Sequence, residues 1–195
     1  MNEQSLKNQQ KNRILEKEYN LKQKRLFNSW LNEAIDQDDY NIFKEALEII
    51  GKEWAVLRTV KRASRSIFYQ HLWDERNNIK SGEYAEWCNS KKSEAYSYES
   101  KICFLINPKF YKLIYDDRNH RTLYKLQKNN KKFEERLKEN SIKITSPNSD
   151  KSAVRQKWQE IVELYYSLGL HGKTNVADDE DYYEIDYDSW RKGAE

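Results

Sequence analysis

The segment from Gly51 to Leu72 places two short amphipathic stretches on either side of a basic break, Lys61-Arg62-Ala63-Ser64-Arg65. In the second stretch, three apolar side chains and one histidine recur at the i, i+1, i+4 and i+5 spacing of a buried helical stripe. They are Ile67, Phe68, His71 and Leu72. The pattern predicts a helix that packs this stripe on a core, and the hydroxyl of Ser64 is placed to cap its first turn.

The opposite face of this predicted helix is polar and carries an arginine, two hydroxyl groups and an amide. These side chains are Arg65, Ser66, Tyr69 and Gln70. Groups of this kind hydrogen-bond to base edges in the major groove and to the neighbouring phosphates. The predicted DNA-binding set adds Lys61, Arg62, Ser64 and Arg76. The alternative interpretation is an ordinary amphipathic helical pair with a solvated basic face.

Residues 64–72, S-R-S-I-F-Y-Q-H-L, resemble the recognition helix of helix-turn-helix DNA-binding domains, in which S-R-x-[small or apolar]-[apolar]-Y-x-x-L is a frequent form. The resemblance covers roughly residues 42–80. Apolar residues at helical spacing predict a helix over 40–50, which follows capping carboxylates such as Asp39 and stops at Gly51, and another over 53–62. Together with the recognition helix, they match a helix-turn-helix core in number and length. The sequence departs from the family at the tight turn, because residues 60–63 lack the usual glycine.

The chain is predicted to be mainly α, since five Gly and two Pro supply few of the turns that an all-β fold requires. Outside the central segment, helices are expected over residues 11–35, 83–100, 125–139 and 152–168. In the first of these, apolar residues lie mostly along one broad stripe. This long helix is interpreted as a packing helix or as a dimerisation arm.

The sequence pattern over residues 101–126 fits either strands or helices. Residues 101–106, KICFLI, form a compact β-like apolar run that ends at Asn107-Pro108. The following FYKLIY and TLYKL runs suit either a hairpin or helices. If they are strands, the order of elements resembles a winged helix. The predicted fold class is therefore a helical or winged helix-turn-helix core with an optional small β-hairpin, a long N-terminal helix and a C-terminal helix.

Five segments follow from these patterns. Residues 1–36 form the N-terminal helix, and residues 37–140 form the helix-turn-helix or winged-helix-like core. A linker over 141–152 contains Pro147 and Asn148. A C-terminal helix over 153–170 and an acidic tail over 171–195 complete the predicted organisation.

Charge is unevenly distributed along the chain, although the net charge is only +3. Residues 52–132 hold 18 Lys and Arg against 9 Asp and Glu, whereas residues 178–195 hold 8 acids against 2 bases. This asymmetry predicts nucleic-acid contact by the body of the chain and a solvated acidic tail that modulates it. A mean hydropathy of −1.10 would favour disorder. Against it, 14 Tyr, 6 Trp and 6 Phe can build an aromatic core.

No motif for nucleotide hydrolysis, dinucleotide binding, acyl transfer or zinc proteolysis occurs in the sequence. The acids of residues 178–181 could ligate a divalent cation, but the interpretation is a solvated tail. His71, His120 and His171 share no ligand spacing with Cys88 and Cys103, which are expected to be reduced thiols. The sequence thus predicts no catalytic residues, no metal and no cofactor. Without a membrane-length apolar run or a signal-peptide core, a cytoplasmic protein with no membrane partner is expected.

Two functions follow from these patterns. The leading prediction is a sequence-specific DNA-binding protein, acting as a transcription regulator or as a plasmid or phage replication accessory, with DNA as partner and a homodimer open. The alternative is a protein-interaction module or inhibitor from a mobile element that uses its aromatic-rich helices or a DNA-mimicking acidic tail. The two are distinguished by whether the basic residues of 52–132 gather in one stripe around Arg65.

Overall fold

The computed structural model describes residues 3–84 and 95–194, and within these ranges the chain forms eleven α-helices and no β-strand. The prediction of a mainly α protein is confirmed. The helices are α1 Glu3–Asp36, α2 Tyr40–Glu53, α3 Arg65–Asp74, α4 Arg76–Ser81, α5 Tyr96–Ile106, α6 Pro108–Tyr111, α7 Asp117–Asn129, α8 Lys131–Glu139, α9 Ser152–Gln156, α10 Trp158–Ser167 and α11 Asp179–Ala194.

The first two helices form an antiparallel hairpin. Asp39 caps α2 by accepting from the backbone N–H groups of Asn41 and Ile42 at 2.8 and 3.1 Å. The predicted stop at Gly51 is wrong, because α2 continues to Glu53. The chain turns instead at Ala55, whose φ of 52° lies in the left-handed region.

The helix predicted over residues 53–62 is also wrong. Two 3-10 turns, Leu57–Thr59 and Arg62–Ser64, occupy this segment, and Val60 between them is extended. Val60 is also buried, and β-branched residues favour extended backbone over helix. The helix-turn-helix core therefore lacks the helix expected before the basic break.

Residues 101–126 are helical or irregular, so the hairpin alternative is wrong and the helical alternative is confirmed. The β-like run lies inside α5, which is buried along its length from Tyr98 to Ile106. Because a helix surrounded by protein is apolar on every side, it carries no period that separates it from a buried strand. Most of the helix expected over 83–100 lies outside the described residues, as does Cys88.

The predicted solvated tail is wrong. Residues 179–194 form α11, which packs on α1 and α7 with Tyr183, Ile185 and Tyr187 buried. Several of its acids pair with cations from the rest of the chain, including Glu180 with Arg25. A tail that reads as self-repelling in sequence is thus neutralised by distant cations.

One buried ion pair holds α11 to the body. Asp186 accepts from Lys24 Nζ at 2.8 Å, from the Ile114 N–H at 3.0 Å and from Asn119 Nδ2 at 2.8 Å. Lys24 and Asp186 are only 2% and 3% exposed. A carboxylate is stable at such depth only when its charge and lone pairs are matched, as they are here.

The predicted segments share one hydrophobic core. The N-terminal helix contributes Leu31, the C-terminal helix contributes Trp158 and the tail contributes Ile185. The expected linker supplies Ile142 and Ile144 to the same cluster. In the part of the chain that the structure describes, no helix has the length and apolar character needed to cross a bilayer.

Candidate functional site

The predicted recognition helix, now α3, turns a different face to the core than expected. Tyr69 was predicted to face DNA but is 1% exposed, whereas Ile67 was predicted to be buried and is 72% exposed. The buried stripe consists of Tyr69, Leu72 and Trp73. Phe68 is half-buried, with its ring 5.4 Å from that of Tyr98. The large aromatic side chains therefore decide the orientation of α3, and Ile67 is left in solvent.

Other members of the predicted DNA-binding set are engaged within the protein. Arg65 Nη2 donates to the Leu57 carbonyl at 3.2 Å. Arg76 lies 4.0 Å from the Trp73 ring centroid and pairs with Asp38. Both guanidinium groups therefore have partners within the protein, and the Arg76–Asp38 pair lies at the surface.

The polar residues of the set divide in the same way. Gln70 Nε2 donates to Asp74 at 2.9 Å. Ser64 makes no side-chain capping bond, so the predicted cap of α3 is wrong. Lys61, Arg62 and Ser66 are exposed, as is Ser64. Gln70 is exposed as well, so five of the eight predicted residues lie at the surface, in the turn before α3 and on α3 itself.

A different surface combines charge with aromatic rings. Two adjoining cavities of about 380 and 560 Å³ share five lining residues and form one continuous depression, here called the central cleft. The shared residues are Trp54, Ala55, Lys101, Asp116 and Trp190. The larger cavity, here called the basic end, is also lined by Tyr96, Tyr115, Asp117, Arg118, Lys151 and Arg155.

Two arginines in the basic end stack on aromatic rings. The Arg155 guanidinium lies 3.4 Å from the Tyr96 ring centroid, and that of Arg118 lies 3.8 Å from the ring centroid of Trp190. Arg155 is only 9% exposed, whereas Arg118 is half-buried. At Arg118, stacking uses the flat face of the guanidinium and leaves its N–H groups directed sideways in the plane. The arrangement suits recognition of an oxyanion beside a flat ring.

Close packing of α11 on α7 sets one of these stacks. A Cβ atom at Gly193 would overlap the Arg118 carbonyl oxygen, so glycine is required for this approach. The turn of α11 that precedes Gly193 carries Trp190 over the Arg118 side chain. One element therefore supplies both the backbone contact and the aromatic surface.

The floor of the cleft carries a half-buried carboxyl group. Asp116 caps α7 by accepting from the N–H groups of Arg118 and Asn119 at 3.0 and 2.9 Å, and Lys101 Nζ lies 3.7 Å from it. Burial raises the pKa of Asp116 above its ordinary value, and the Lys101 charge opposes that rise. Burial also raises the pKa of Tyr115 to about 12, so its hydroxyl remains protonated near neutral pH.

The basic end carries a cationic excess. Among the described residues that line it, the cations are Lys101, Arg118, Lys151 and Arg155, and the carboxylates are Asp116 and Asp117. Lys151 pairs with Asp117, and Lys101 lies beside Asp116. The other end of the cleft is lined by Glu16, Glu53 and the Lys24–Asp186 pair, so it is acidic. An anionic ligand would therefore be directed to the basic end.

The acids at residues 178–181 do not form a metal site. Asp181 accepts from the Ala177 N–H at 2.8 Å and from Lys173 Nζ at 2.6 Å. The backbone bond from Ala177, followed by the Lys173 contact, lowers the pKa of Asp181 to about 2. Across the described residues, no group of three or more His, Cys, Asp or Glu side chains is placed to hold a metal ion.

Sequence reasoning missed most of the basic end. Its residues range from Trp54 to Trp190, and the rings of Tyr96 and Trp190 lie far in sequence from Lys151 and Arg155. The basic excess of residues 52–132 was a partial signal, because that range includes Lys101 and Arg118. No protein-family model, curated protein or solved structure matches the chain.

Proposed function

We propose that the protein binds nucleic acid and that the basic end of the central cleft is its contact surface. The observation that carries the proposal is Arg118 stacked on Trp190 within a depression of net cationic charge. Phosphates pair with guanidinium and ammonium groups, and unpaired bases stack on aromatic rings and on arginine planes. Both kinds of partner are present at this end of the cleft.

The shape of the surface favours a single-stranded segment over a duplex groove. A duplex hides the faces of its bases in the stack and is read by an element that projects into a groove. The cleft is recessed instead, and two arginines of the predicted DNA-binding set, Arg65 and Arg76, are held by intramolecular contacts. The DNA-binding function predicted from the sequence is thus proposed here in coarser form, as nucleic-acid binding, with its surface moved from α3 to the cleft.

The test is fluorescence anisotropy with a labelled thymidine oligonucleotide and a labelled duplex over a salt series. Replacing Arg118 with Ala should weaken binding of the single strand by about tenfold, equivalent to roughly 1.4 kcal/mol, and should flatten the salt slope by about one. The matched control is Arg62→Ala, which removes the same charge from the exposed turn before α3 and should leave the affinity unchanged. Circular dichroism verifies that each variant is folded.

Three results would contradict the proposal. Failure of the wild type to bind either oligonucleotide at low salt would remove nucleic acid as the ligand. If Arg62→Ala lost affinity while Arg118→Ala kept it, the contact surface would be the basic turn. A preference for duplex over single strand would reject the recessed mode of binding.

A further inference from the structure

A second surface is apolar and lies on the outer side of the first helical hairpin. Seven large apolar side chains among the described residues are largely exposed, and Leu15, Tyr19, Leu26 and Ile42 belong to one face of α1 and α2. Trp30 and Ile49 lie half-buried on the same face. These six residues are called the apolar face. On α1 its members recur at i, i+4, i+11 and i+15, which places them along one side of the helix.

The apolar face contains a groove between the two helices. Two depressions of about 330 and 300 Å³ meet at Trp30 and Ile49 and together run from Tyr19 to Ile42. A contiguous exposed apolar patch of this kind on a hydrophilic chain marks an interaction site.

The N-terminal turns of α1 extend past the end of this groove. α2 ends at Glu53, whose carboxylate accepts from Gln23 Nε2 at 3.3 Å. Leu15 and Tyr19 precede that point, and every residue from 11 to 16 is exposed. At a rise of about 1.5 Å per residue, the 34 residues of α1 extend for about 51 Å. The helix is therefore long enough to carry apolar side chains beyond its own partner helix.

We infer that the apolar face binds a second copy of this chain, with the two α1 helices antiparallel. The charges along the stripe carry this choice. Lys22 lies on the N-terminal side of Leu26, whereas Glu33 lies on the C-terminal side of Trp30, and Glu45 lines that same end of the groove.

A two-fold axis near residue 28 of α1 brings opposite charges together. It sets Lys22 beside the partner's Glu33 and Leu26 beside the partner's Trp30, and symmetry makes each contact twice. A parallel arrangement would instead set Lys22 against the partner's Lys22. Glu53 keeps its charge when it accepts from the neutral amide of Gln23, and Glu33 likewise accepts from Gln37. Among the described residues that line the two depressions Lys22 is the cation, and only the antiparallel arrangement sets it beside the partner's Glu33.

Sedimentation velocity on the full chain tests the assembly. The wild type should sediment as a dimer, and Leu26→Glu should convert it to a folded monomer, since a charge at the centre of the face would be buried without a partner. The matched control is Ile67→Glu, at an exposed apolar position on α3, which should leave the dimer intact. A wild type that sediments as a monomer over the accessible concentration range overturns the inference, and so does dissociation by Ile67→Glu.

Charge reversal tests the antiparallel geometry. Lys22→Glu should raise the dimer dissociation constant about tenfold, because two attractive pairs become repulsive. Adding Glu33→Lys should restore the wild-type value, because each pair is then reversed but matched. If the double variant stays as weak as Lys22→Glu, the helices do not meet in this register and the proposed second copy is rejected. A wild-type protein that dimerises only when a basic peptide is present would also reject direct self-association.

Discussion

Removal of the Asp186 carboxylate is the sharpest test of how the acidic C-terminal segment is held. Asp186→Ala leaves the ammonium of Lys24, which is 2% exposed, with the Tyr183 carbonyl at 3.0 Å as its remaining hydrogen-bond acceptor. The Ile114 N–H also loses its acceptor. A buried cation without a counter-charge is among the largest single penalties that a substitution can create.

The expected loss is about 3–5 kcal/mol in the free energy of unfolding, the range found when one partner of a buried ion pair is removed. For a domain of this size, each kcal/mol corresponds to roughly 2–4 °C in melting temperature, so the melting temperature should fall by about 6–20 °C. The matched control is Asp188→Ala on the same helix. Asp188 is 46% exposed and lies 3.5 Å from Lys17, so its loss should cost at most about 0.5 kcal/mol.

Urea unfolding, followed by circular dichroism and by tryptophan fluorescence, measures these differences where the two transitions coincide. Adding Lys24→Met to Asp186→Ala should recover part of the lost stability, because the uncompensated ammonium is removed. This double variant keeps the test informative if Asp186→Ala does not fold. If the free energy of unfolding of Asp186→Ala lies within about 1 kcal/mol of the wild-type value, this ion pair does not dock α11. Such a result would favour the solvated tail expected from the sequence.

Three further outcomes follow from burial. Tyr69→Ala should cost about 3–5 kcal/mol, and Ile67→Ala at most about 0.5 kcal/mol, in urea unfolding; the reverse order would restore the predicted orientation of α3. Gly193→Ala should lower the melting temperature, because the added Cβ would overlap the Arg118 carbonyl oxygen; an unchanged melting temperature would show that α11 packs less closely on α7. Burial lowers the pKa of His120, so the unfolded chain binds the proton more readily and stability should fall as pH drops below about 6.5. His120→Phe should lose less stability between pH 7 and about 5.5, and an identical pH profile would contradict this assignment.

The parts of the fold that the sequence predicted correctly depend on local signals. α2 was expected because Asp39 precedes a 3.6-residue apolar period, and both signals lie within the helix or next to it. The long first helix was predicted for the same reason. Its exposed members Leu15 and Leu26 were visible as apolar residues, but their exposure depends on where α2 ends.

The failures depend on contacts that are distant in the chain. α5 has no period because protein surrounds it, so its residues matched a strand and a helix equally. In the sequence, Asp186 cannot be distinguished from the solvated acids around it. Its partner Lys24 lies 162 residues earlier, and only the fold brings the two together. In the same way, the sequence pattern placed the Tyr69 hydroxyl on the exposed face, because it does not show that Tyr98 packs against Phe68, the residue next to Tyr69.

The central cleft and the apolar face adjoin each other, so a substitution that affects dimerisation could also affect binding in the cleft. Tyr19, Gln23 and Glu53 line both the groove between α1 and α2 and the acidic end of the cleft. A second copy docked on the apolar face would thus approach the acidic end, while Arg118 and Arg155 lie at the basic end. Leu26→Glu should therefore abolish the dimer and leave the affinity of one cleft for a short oligonucleotide unchanged. If that affinity falls with the dimer, the partner chain contributes to the binding surface, and the site is completed only by assembly.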